Sequence, residues 1–221
     1  MSKIKILRIL HRASVSGPTH HAAILQKYFN EENLESKLVI GEYLESEKSG
    51  KDILDSYNGN FTELLFSRNF SFKKELKSIY CLYKIIRSYK PDIIHSHASK
   101  PGLYGRILGR ILGIQVIVHT YHGHVFHSYF GRIKTRLIIQ IEKFLATKSS
   151  VLIAISEEQL QEIKSFLSTE KLELVPLGLD LDKFKYEERT FNKHNSISIG
   201  IIGRLTTIKN IDYFLNICRS F

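Results

Sequence analysis

Short apolar segments recur along this chain, and most of them are separated by stretches with helical periodicity. Eight such segments predict β-strands, at Lys3–Leu10, Ser36–Ile40, Phe61–Phe66, Asp92–His95, Val116–His119, Val151–Ile155, Leu172–Val175 and Ile197–Ile202. Between most of them, apolar residues return every three or four positions, which is the spacing of one face of a helix. Strand and helix that alternate this often predict the α/β class, with a doubly wound, largely parallel sheet.

Three of the predicted helices indicate which face they bury. The first has one apolar face and ends before Pro91, and that face holds Leu76, Ile79, Tyr80, Tyr83 and Ile86. The second has a similar stripe, made of Ile133, Leu137, Ile138, Ile141, Phe144 and Leu145. The third opens on a capping box at Ser156–Gln159 and is expected to bury Leu160, Ile163 and Leu167.

The alternation stops after Pro176, which predicts a domain boundary. Residues 1–176 form the first domain, and residues 177–196 form a charged linker without periodicity. Residues 197–221 supply one strand and one short helix, which cannot bury a core of their own. We therefore expect them to begin a second domain whose remainder is missing.

The charge of the chain limits the classes of partner that it can bind. The net charge is +10, and between Arg68 and Arg110 ten Lys and Arg residues stand against only two acids, Glu75 and Asp92. Such a surplus suits nucleic acid, anionic lipid or phosphorylated small molecules. The sequence has no nucleic-acid-binding motif, so we expect no nucleic-acid partner. Contact with an anionic membrane surface and a merely solvated face are the two alternatives left open.

Two further observations bear on location. Cys81 and Cys218 are distant in sequence, which fits a reducing compartment better than a disulfide framework. No window approaches the roughly 18 uninterrupted apolar residues of a membrane span. The sequence predicts a cytoplasmic protein, with peripheral attachment at the inner face of the membrane as the membrane alternative.

Histidines follow two neighbouring predicted strands. Because the carboxyl ends of parallel strands open on one edge of the sheet, and ligands bind there, we expect His97, His119, His122 and His124 to share one cleft. No acid occurs between Asp92 and Glu142, so this cleft is predicted to hold negative charge.

Five segments, in order, resemble those of GT-B fold glycosyltransferases of the large retaining family 4. They are Ser16–His21, KPDIIHSHASKPGLYGR, VIVHTYHGHVF, IAISE followed by LVPLGLDLDKF, and IGIIGRLTTIKN. The resemblance implies the Rossmann-like N-terminal half of that fold, followed by an incomplete second domain. It also implies an enzyme that moves a hexose or hexosamine from a nucleotide diphosphate sugar to a surface-polysaccharide, lipopolysaccharide or lipid-linked glycan precursor.

The resemblance assigns the phosphate contacts of the donor to two places. Gly17 lies where the family has a glycine turn before its first helix, and a backbone without Cβ lets a diphosphate come close. Gly203, Arg204 and Lys209 match the family's second phosphate-binding signature. Its two cations are expected to stabilise the leaving nucleotide diphosphate as negative charge builds on it.

The histidines are open to three interpretations. By resemblance, His119 and His122 flank the reacting sugar carbons and are the candidate catalytic residues. His97 and His124 of the same cleft are candidates for binding the acceptor. Lys100 and Arg106, on the helix after His97, could bind an acceptor's phosphate or carboxylate, and a solvated helix face is the alternative for these two cations. Alternatively, the spacings His95-x-His97 and His119-x2-His122-x-His124-x2-His127 resemble metal ligands, but no carboxylate is near in sequence. The third interpretation is that the histidines have a structural role.

We expect no metal and no cofactor beyond the nucleotide sugar, and we assign Asp180-x-Asp182 to the linker.

Part of the family pattern is missing from this chain. The Glu-x7-Glu pair that the family carries in its second domain has no counterpart before Phe221, so we expect a truncated chain with little or no activity. Two alternatives remain. One is a nucleotide-sugar 2-epimerase of the same fold, which would need acid and base carboxylates in the cleft. The other is a non-catalytic fragment that binds an acceptor or a membrane surface.

Overall fold

A computed structural model of the chain contains one parallel sheet of seven strands. It describes residues 3–32, 34–41, 49–57, 61–64, 66, 71–123, 131–181, 199–203 and 209–220. The strands are β1 (Lys5–Leu10), β2 (Glu35–Gly41), β3 (Phe61–Leu64), β4 (Ile93–His97), β5 (Val116–Thr120), β6 (Val151–Ala154) and β7 (Leu172–Leu174). Their order is β3-β2-β1-β4-β5-β6-β7, and all neighbouring pairs are parallel. The predicted fold class is confirmed.

Seven helices accompany the strands in the described part of the chain. They are α1 (Gly17–Glu31), α2 (Lys51–Asp55), α3 (Phe72–Tyr89), α4 (Ser99–Ile111), α5 (Arg132–Lys148), α6 (Glu157–Phe166) and α7 (Ile211–Arg219). The chain moves one way across the sheet from β1 to β3 and the other way from β4 to β7. Because parallel crossovers are right-handed, α1 and α2 lie on one face, and α3 to α6 lie on the other.

Helix α4 lies unusually close to the sheet. A Cβ atom at Gly105 would stand 3.0 Å from Cδ1 of Ile9, and one at Gly109 would stand 2.9 Å from Cδ1 of Ile117. These glycines therefore allow a close approach that larger residues would prevent. The helix is thereby held against β1, β4 and β5, and its first turn, at Gly102, lies against His119 near the end of β5.

Seven of the eight predicted strands are confirmed, with ends shifted by one or two residues. The eighth, Ile197–Ile202, is not formed by its described residues 199–202, where Ile199 and Ile202 are exposed. A strand needs a hydrogen-bonded neighbour, and the described residues of this segment pair with none.

The predicted helix faces are confirmed for α6 and partly wrong for α3 and α5. Leu160 and Ile163 of α6 and Leu167 directly after it are buried, and the backbone N–H of Gln159 donates to Ser156 Oγ at 3.3 Å. In α3 and α5 much of the predicted apolar stripe is exposed, namely Leu76, Tyr80, Ile133, Leu137, Ile141 and Phe144. Both helices instead turn a buried acid inward, Glu75 in α3 and Glu142 in α5, because α4 offers each acid a cation.

The chain divides into two compact units, Met1–Asp180 and Leu181–Phe221. The first unit contains the whole sheet and helices α1 to α6. The second contains α7, none of whose residues is buried. Among the described helices, none has the length and hydrophobicity required to cross a bilayer.

Candidate functional site

The candidate site lies where β4 and β5 end, at the carboxyl edge of the sheet. Because side chains alternate along a strand, His95 and His97 share the face of the sheet that is covered by α1, and Ser96 points to the opposite face. Directly after β4, Ala98 has φ 69° and ψ 170°, a conformation that residues with a side chain rarely adopt. This sharp turn starts α4 at the same edge.

Four histidines form a cluster on the α1 face. Nδ1 of His97 and Nε2 of His122 are 3.0 Å apart, and the rings of His95 and His97 are 4.2 Å apart. Helix α1 adds His21, whose ring lies 5.8 Å from His97 and 5.5 Å from His122. Three buried nitrogens, His21 Nδ1, His97 Nε2 and His122 Nδ1, find no hydrogen-bond partner among the described residues. Buried polar atoms in native structures nearly always have a hydrogen-bond partner. A bound ligand with hydroxyl groups would supply partners for these three nitrogens.

A buried arginine beneath the cluster helps to keep it uncharged. Arg8 is fully buried and donates to three neutral acceptors, Ser36 Oγ at 2.9 Å, the Ala22 carbonyl at 2.5 Å and Gln26 Oε1. Burial lowers the pKa of Arg8 to about 9. Burial, assisted by the charge of Arg8, lowers the pKa of His95 to about 3 and that of His21 to about 4. Neutral imidazoles can donate or accept at a sugar hydroxyl.

Acidification is expected to destabilise the protein through this cluster. Burial and the neighbouring His21 lower the pKa of His122 to about 4, so between pH 6.5 and 4 the unfolded chain binds protons that the folded chain does not. For each fully buried neutral histidine, the free energy of unfolding then falls by up to about 1.4 kcal/mol for every pH unit below 6.5. Above pH 6.5 these histidines cause no loss of stability.

Urea denaturation at a series of pH values measures this effect. Replacement of His95 by Gln should make the loss of stability between pH 6.5 and 4 less steep. Replacement of the exposed His20 by Gln, on the same helix as His21, is the matched control and should leave the slope unchanged. An equal slope in wild type and His95→Gln would contradict the prediction.

His119 does not join this cluster, contrary to the expectation of one shared cleft. It pairs in register with Ser96, and its Nδ1 lies 3.0 Å from Ser96 Oγ on the α4 face of the sheet. It is 2% exposed, and a Cβ atom at Gly102 would stand 2.5 Å from its Cε1. Strand alternation puts His119 on the face opposite His97, a separation that sequence spacing along two different strands does not reveal. Its catalytic role stays a prediction.

The two candidate acceptor-binding cations on α4 are both held by acids. Arg106 is fully buried and donates to both carboxylate oxygens of Glu142, at 2.5 and 3.0 Å, and Tyr121 also donates to this carboxylate. This placement argues against acceptor contact by Arg106 and assigns it to the interior. Lys100 is 24% exposed and donates to Glu75 Oε1 at 2.5 Å, so it stays a candidate at the rim of the site.

The predicted phosphate-binding residues are placed as follows. Gly17 begins α1, is exposed, and has open space where a Cβ atom would lie. In the second unit, a Cβ atom at Gly203 would lie 3.7 Å from Cγ of Lys209, so these two residues of the signature are neighbours. Arg204 and His124 lie outside the described residues.

Among the described residues, one group could share a metal ion: His21, His97 and His122 each offer a nitrogen, all within 4.8 Å of one another. Neutral imidazole is a ligand for zinc, but the cation of Arg8 acts on His21 and His97 and would oppose a dication. The described cluster contains no carboxylate to offset it. The expectation that no metal is bound stays a prediction.

Sequence reasoning did not assign three residues that shape this site. His21 lies four residues after Gly17, but nothing in the spacing indicates that α1 faces β4. Arg8 had a signal, since it is the one cation in the interior of the apolar strand KILRIL, which begins with Lys5, and a cation there must be buried with partners. Glu142 had one as well, as the first acid after a long stretch without any.

The chain resembles known proteins in both sequence and structure. The sequence profile of Glycosyltransferase Family 4 matches residues 15–183. Over 175 residues the chain is 35% identical to the UDP-Gal:alpha-D-GlcNAc-diphosphoundecaprenol alpha-1,3-galactosyltransferase of Escherichia coli, covering 74% of this chain and 45% of that protein. The chain therefore spans about half the length of this curated relative.

Solved structures share the fold. A glycosyltransferase from Rickettsia africae ESF-5 superposes with a TM-score of 0.64 at 18% identity, covering 83% of this chain and 45% of that chain. The UDP-GlcNAc 2-epimerase from Neisseria meningitidis superposes with a TM-score of 0.56 at 15% identity, covering 77% of this chain and 45% of that chain. At these identities the likeness concerns the fold alone.

Proposed function

The chain belongs to Glycosyltransferase Family 4, and we propose on this premise that its protein transfers a hexose or hexosamine from a nucleotide diphosphate sugar to a lipid-linked glycan precursor. The Escherichia coli relative is named for a UDP-galactose donor and a GlcNAc-diphosphoundecaprenol acceptor. UDP-galactose and an acetylglucosamine diphospholipid are therefore the substrates we propose to test first.

The observation that carries the proposal is the uncharged histidine cluster at the carboxyl edge of the sheet. Its unpartnered nitrogens on His21, His97 and His122 suit a polyhydroxyl ligand, and the N-terminus of α1 at Gly17 opens at the same edge. Helix N-termini favour anions, so a sugar diphosphate would meet its two kinds of partner there.

In the proposed reaction, the bond between the sugar C1 and the diphosphate oxygen breaks, and a bond from C1 to an acceptor hydroxyl oxygen forms. The diphosphate oxygen takes the electron pair of the broken bond and gains negative charge, and the acceptor hydroxyl gives its proton to this leaving diphosphate as the new bond forms. By their match to the family signature, Lys209 and Arg204 would stabilise that charge. Retention of the anomeric configuration is implied by the family resemblance.

We also propose that the protein works in the cytoplasm at a membrane surface. A lipid-linked acceptor presents its sugar at the bilayer, so the transferase must reach it there. Cys81 and Cys218 are both free thiols, which suits a reducing compartment.

The test is a transfer assay on the product of the native gene, with chain 1–221 measured beside it. UDP-galactose and an acetylglucosamine diphospholipid in detergent should give an acceptor heavier by one hexose, detected by mass spectrometry. The epimerase alternative, favoured only by the shared fold, predicts conversion of UDP-GlcNAc to its 2-epimer without any acceptor. Transfer to no lipid-linked acceptor, from any nucleotide sugar tried, would overturn the proposal.

Replacement of Gly17 by Ala tests the donor-phosphate contact without disturbing the fold. Apart from the adjacent residues and the backbone of α1 itself, no atom lies within 4 Å of the added Cβ, so the free energy of unfolding should change by less than about 0.5 kcal/mol. If a diphosphate approaches the backbone here, uridine diphosphate should bind about tenfold more weakly, as measured by calorimetry. Gly131→Ala, at another helix start with open space, is the matched control and should bind normally. Unchanged binding by Gly17→Ala would remove Gly17 from the donor site.

A further inference from the structure

Helix α3 exposes an apolar stripe in place of burying it. Phe72, Leu76 and Tyr80 follow one another at intervals of four residues and are 67%, 50% and 56% exposed. Lysines border the stripe, and Lys84 Nζ lies 4.6 Å from the centre of the Tyr80 ring. The inner face of the helix is already occupied by Leu82 and Ile86, which are buried in the core.

Helix α5 carries a second stripe of the same kind. Ile133, Leu137, Ile141 and Phe144 recur at helical spacing and are 85%, 61%, 40% and 53% exposed. Basic residues flank this stripe too, and Lys148 Nζ lies 5.1 Å from the centre of the Phe144 ring. A helix that is apolar toward solvent and bordered by Lys and Arg is typical of helices lying in a membrane interface.

The two stripes belong to one layer of the first unit. Helix α4 packs against α3 on one side and against α5 on the other, and all three cover the same face of the sheet. Both stripes are therefore carried by the same side of the protein.

Neither helix exposes an acid. The acid of α3 is Glu75, which is 4% exposed and paired with Lys100, and the acid of α5 is Glu142, which is 8% exposed and paired with Arg106. The charged side chains that the two helices show to solvent are therefore all basic. Their cations are Lys73, Lys74, Lys77, Lys84 and Arg87 on α3, and Arg132, Lys134, Arg136, Lys143 and Lys148 on α5.

We propose that the exposed stripes of α3 and α5 form a single docking surface for an anionic lipid bilayer. The apolar side chains would enter the boundary between headgroups and acyl chains, and the flanking Lys and Arg would bind lipid phosphates. The inference rests on the proposed function, because a lipid-linked acceptor requires a transferase at the bilayer, and it names the surface that would bring it there.

Charge complementarity favours an anionic bilayer on this surface over a second copy of the chain. A second copy of the chain would bring ten further cations against these ten, and like charges repel. Nucleic acid would neutralise the cations but would leave Ile133, Leu137 and Phe72 exposed to water.

The experiment measures flotation of the native gene product with lipid vesicles, without donor or acceptor. Vesicles of phosphatidylcholine with about a third phosphatidylglycerol should bind the protein, and vesicles of phosphatidylcholine alone should bind it at least about tenfold more weakly. The double variant Ile133→Ser with Leu137→Ser and the double variant Arg136→Glu with Lys143→Glu should each lose about tenfold in binding to the anionic vesicles.

Matched controls lie on the other side of the sheet or at the chain start. Tyr28→Ser removes a side chain that is 43% exposed on α1, and Lys3→Glu reverses an exposed charge. Both should bind as wild type does, and circular dichroism should show every variant folded. No binding to anionic vesicles at low salt, or equal binding by the α5 variants and wild type, would overturn the proposal. Concentration-dependent dimers that Leu137→Ser abolishes would assign the surface to a second copy.

Failure of docking and failure of the proposed function give different results. Transfer to a short-chain, detergent-free acceptor does not need a bilayer, so the α5 variants should keep wild-type turnover with it. Normal transfer without vesicle binding would remove only the docking surface. Vesicle binding without any transfer would leave a membrane-bound protein of another activity.

Discussion

Replacement of Glu142 by Ala is expected to lower the free energy of unfolding by about 3–5 kcal/mol. Glu142 holds the guanidinium of Arg106, which is fully buried, through two hydrogen bonds, and it also accepts from Tyr121. Removal of the carboxylate leaves a buried positive charge without its counter-ion, and the loss of solvation is then uncompensated. The pair also joins α4 to α5, so the packing of these two helices should loosen.

Urea denaturation followed by circular dichroism measures the change. Glu173→Gln, at an exposed acid of β7, should change stability by less than about 0.5 kcal/mol. The double variant Arg106→Met with Glu142→Leu should recover most of the loss, because a buried pair replaced by apolar groups leaves no charge behind. A loss below about 1 kcal/mol in Glu142→Ala would show that Arg106 finds water or another partner.

Replacement of Lys209 by Ala is expected to lower kcat of the native gene product about 100- to 1000-fold in the transfer assay. The proposed role of Lys209 is to stabilise charge that grows on the leaving diphosphate, so its removal affects the transition state more than the bound substrate. Lys209→Arg keeps the charge and should retain part of the rate. The effect rests on the proposed function and on the match of Gly203 and Lys209 to the family signature.

Kinetics with varied donor concentration separate this role from simple binding. A rise in KM with unchanged kcat would mean that Lys209 binds donor and transition state equally, contrary to the prediction. Arg219→Ala, which removes another exposed cation of the second unit, should change neither constant. Equal rates for Lys209→Ala and wild type would remove Lys209 from the site.

The family and the fold could be predicted from the sequence. Five short segments in order indicated a family 4 glycosyltransferase, and the profile match over residues 15–183 confirms the family. The strand–helix alternation indicated the parallel sheet, because period two and period 3.6 are properties of local sequence. The boundaries at 176 and 196, the truncation and the loss of activity stay predictions.

The composition of the site depended on the tertiary structure. The register between neighbouring strands decides which histidines share a face of the sheet. His97 therefore meets His122, while His119 lies on the opposite face. His21 joins the cluster because α1 covers this face of the sheet. The face that α1 covers follows from the direction of the crossover connection and not from spacing along the chain.

The composition of the exposed faces of α3 and α5 also depended on the tertiary structure. The sequence by itself determined that α3 and α5 are amphipathic and basic, since periodicity and charge can be read from the residues in order. Only the tertiary structure decided that Glu75 and Glu142 turn inward to cations of α4, which leaves Leu76, Tyr80, Ile133 and Leu137 in solvent. A helix with two apolar stripes can bury only one, and the choice depends on partners from distant parts of the chain.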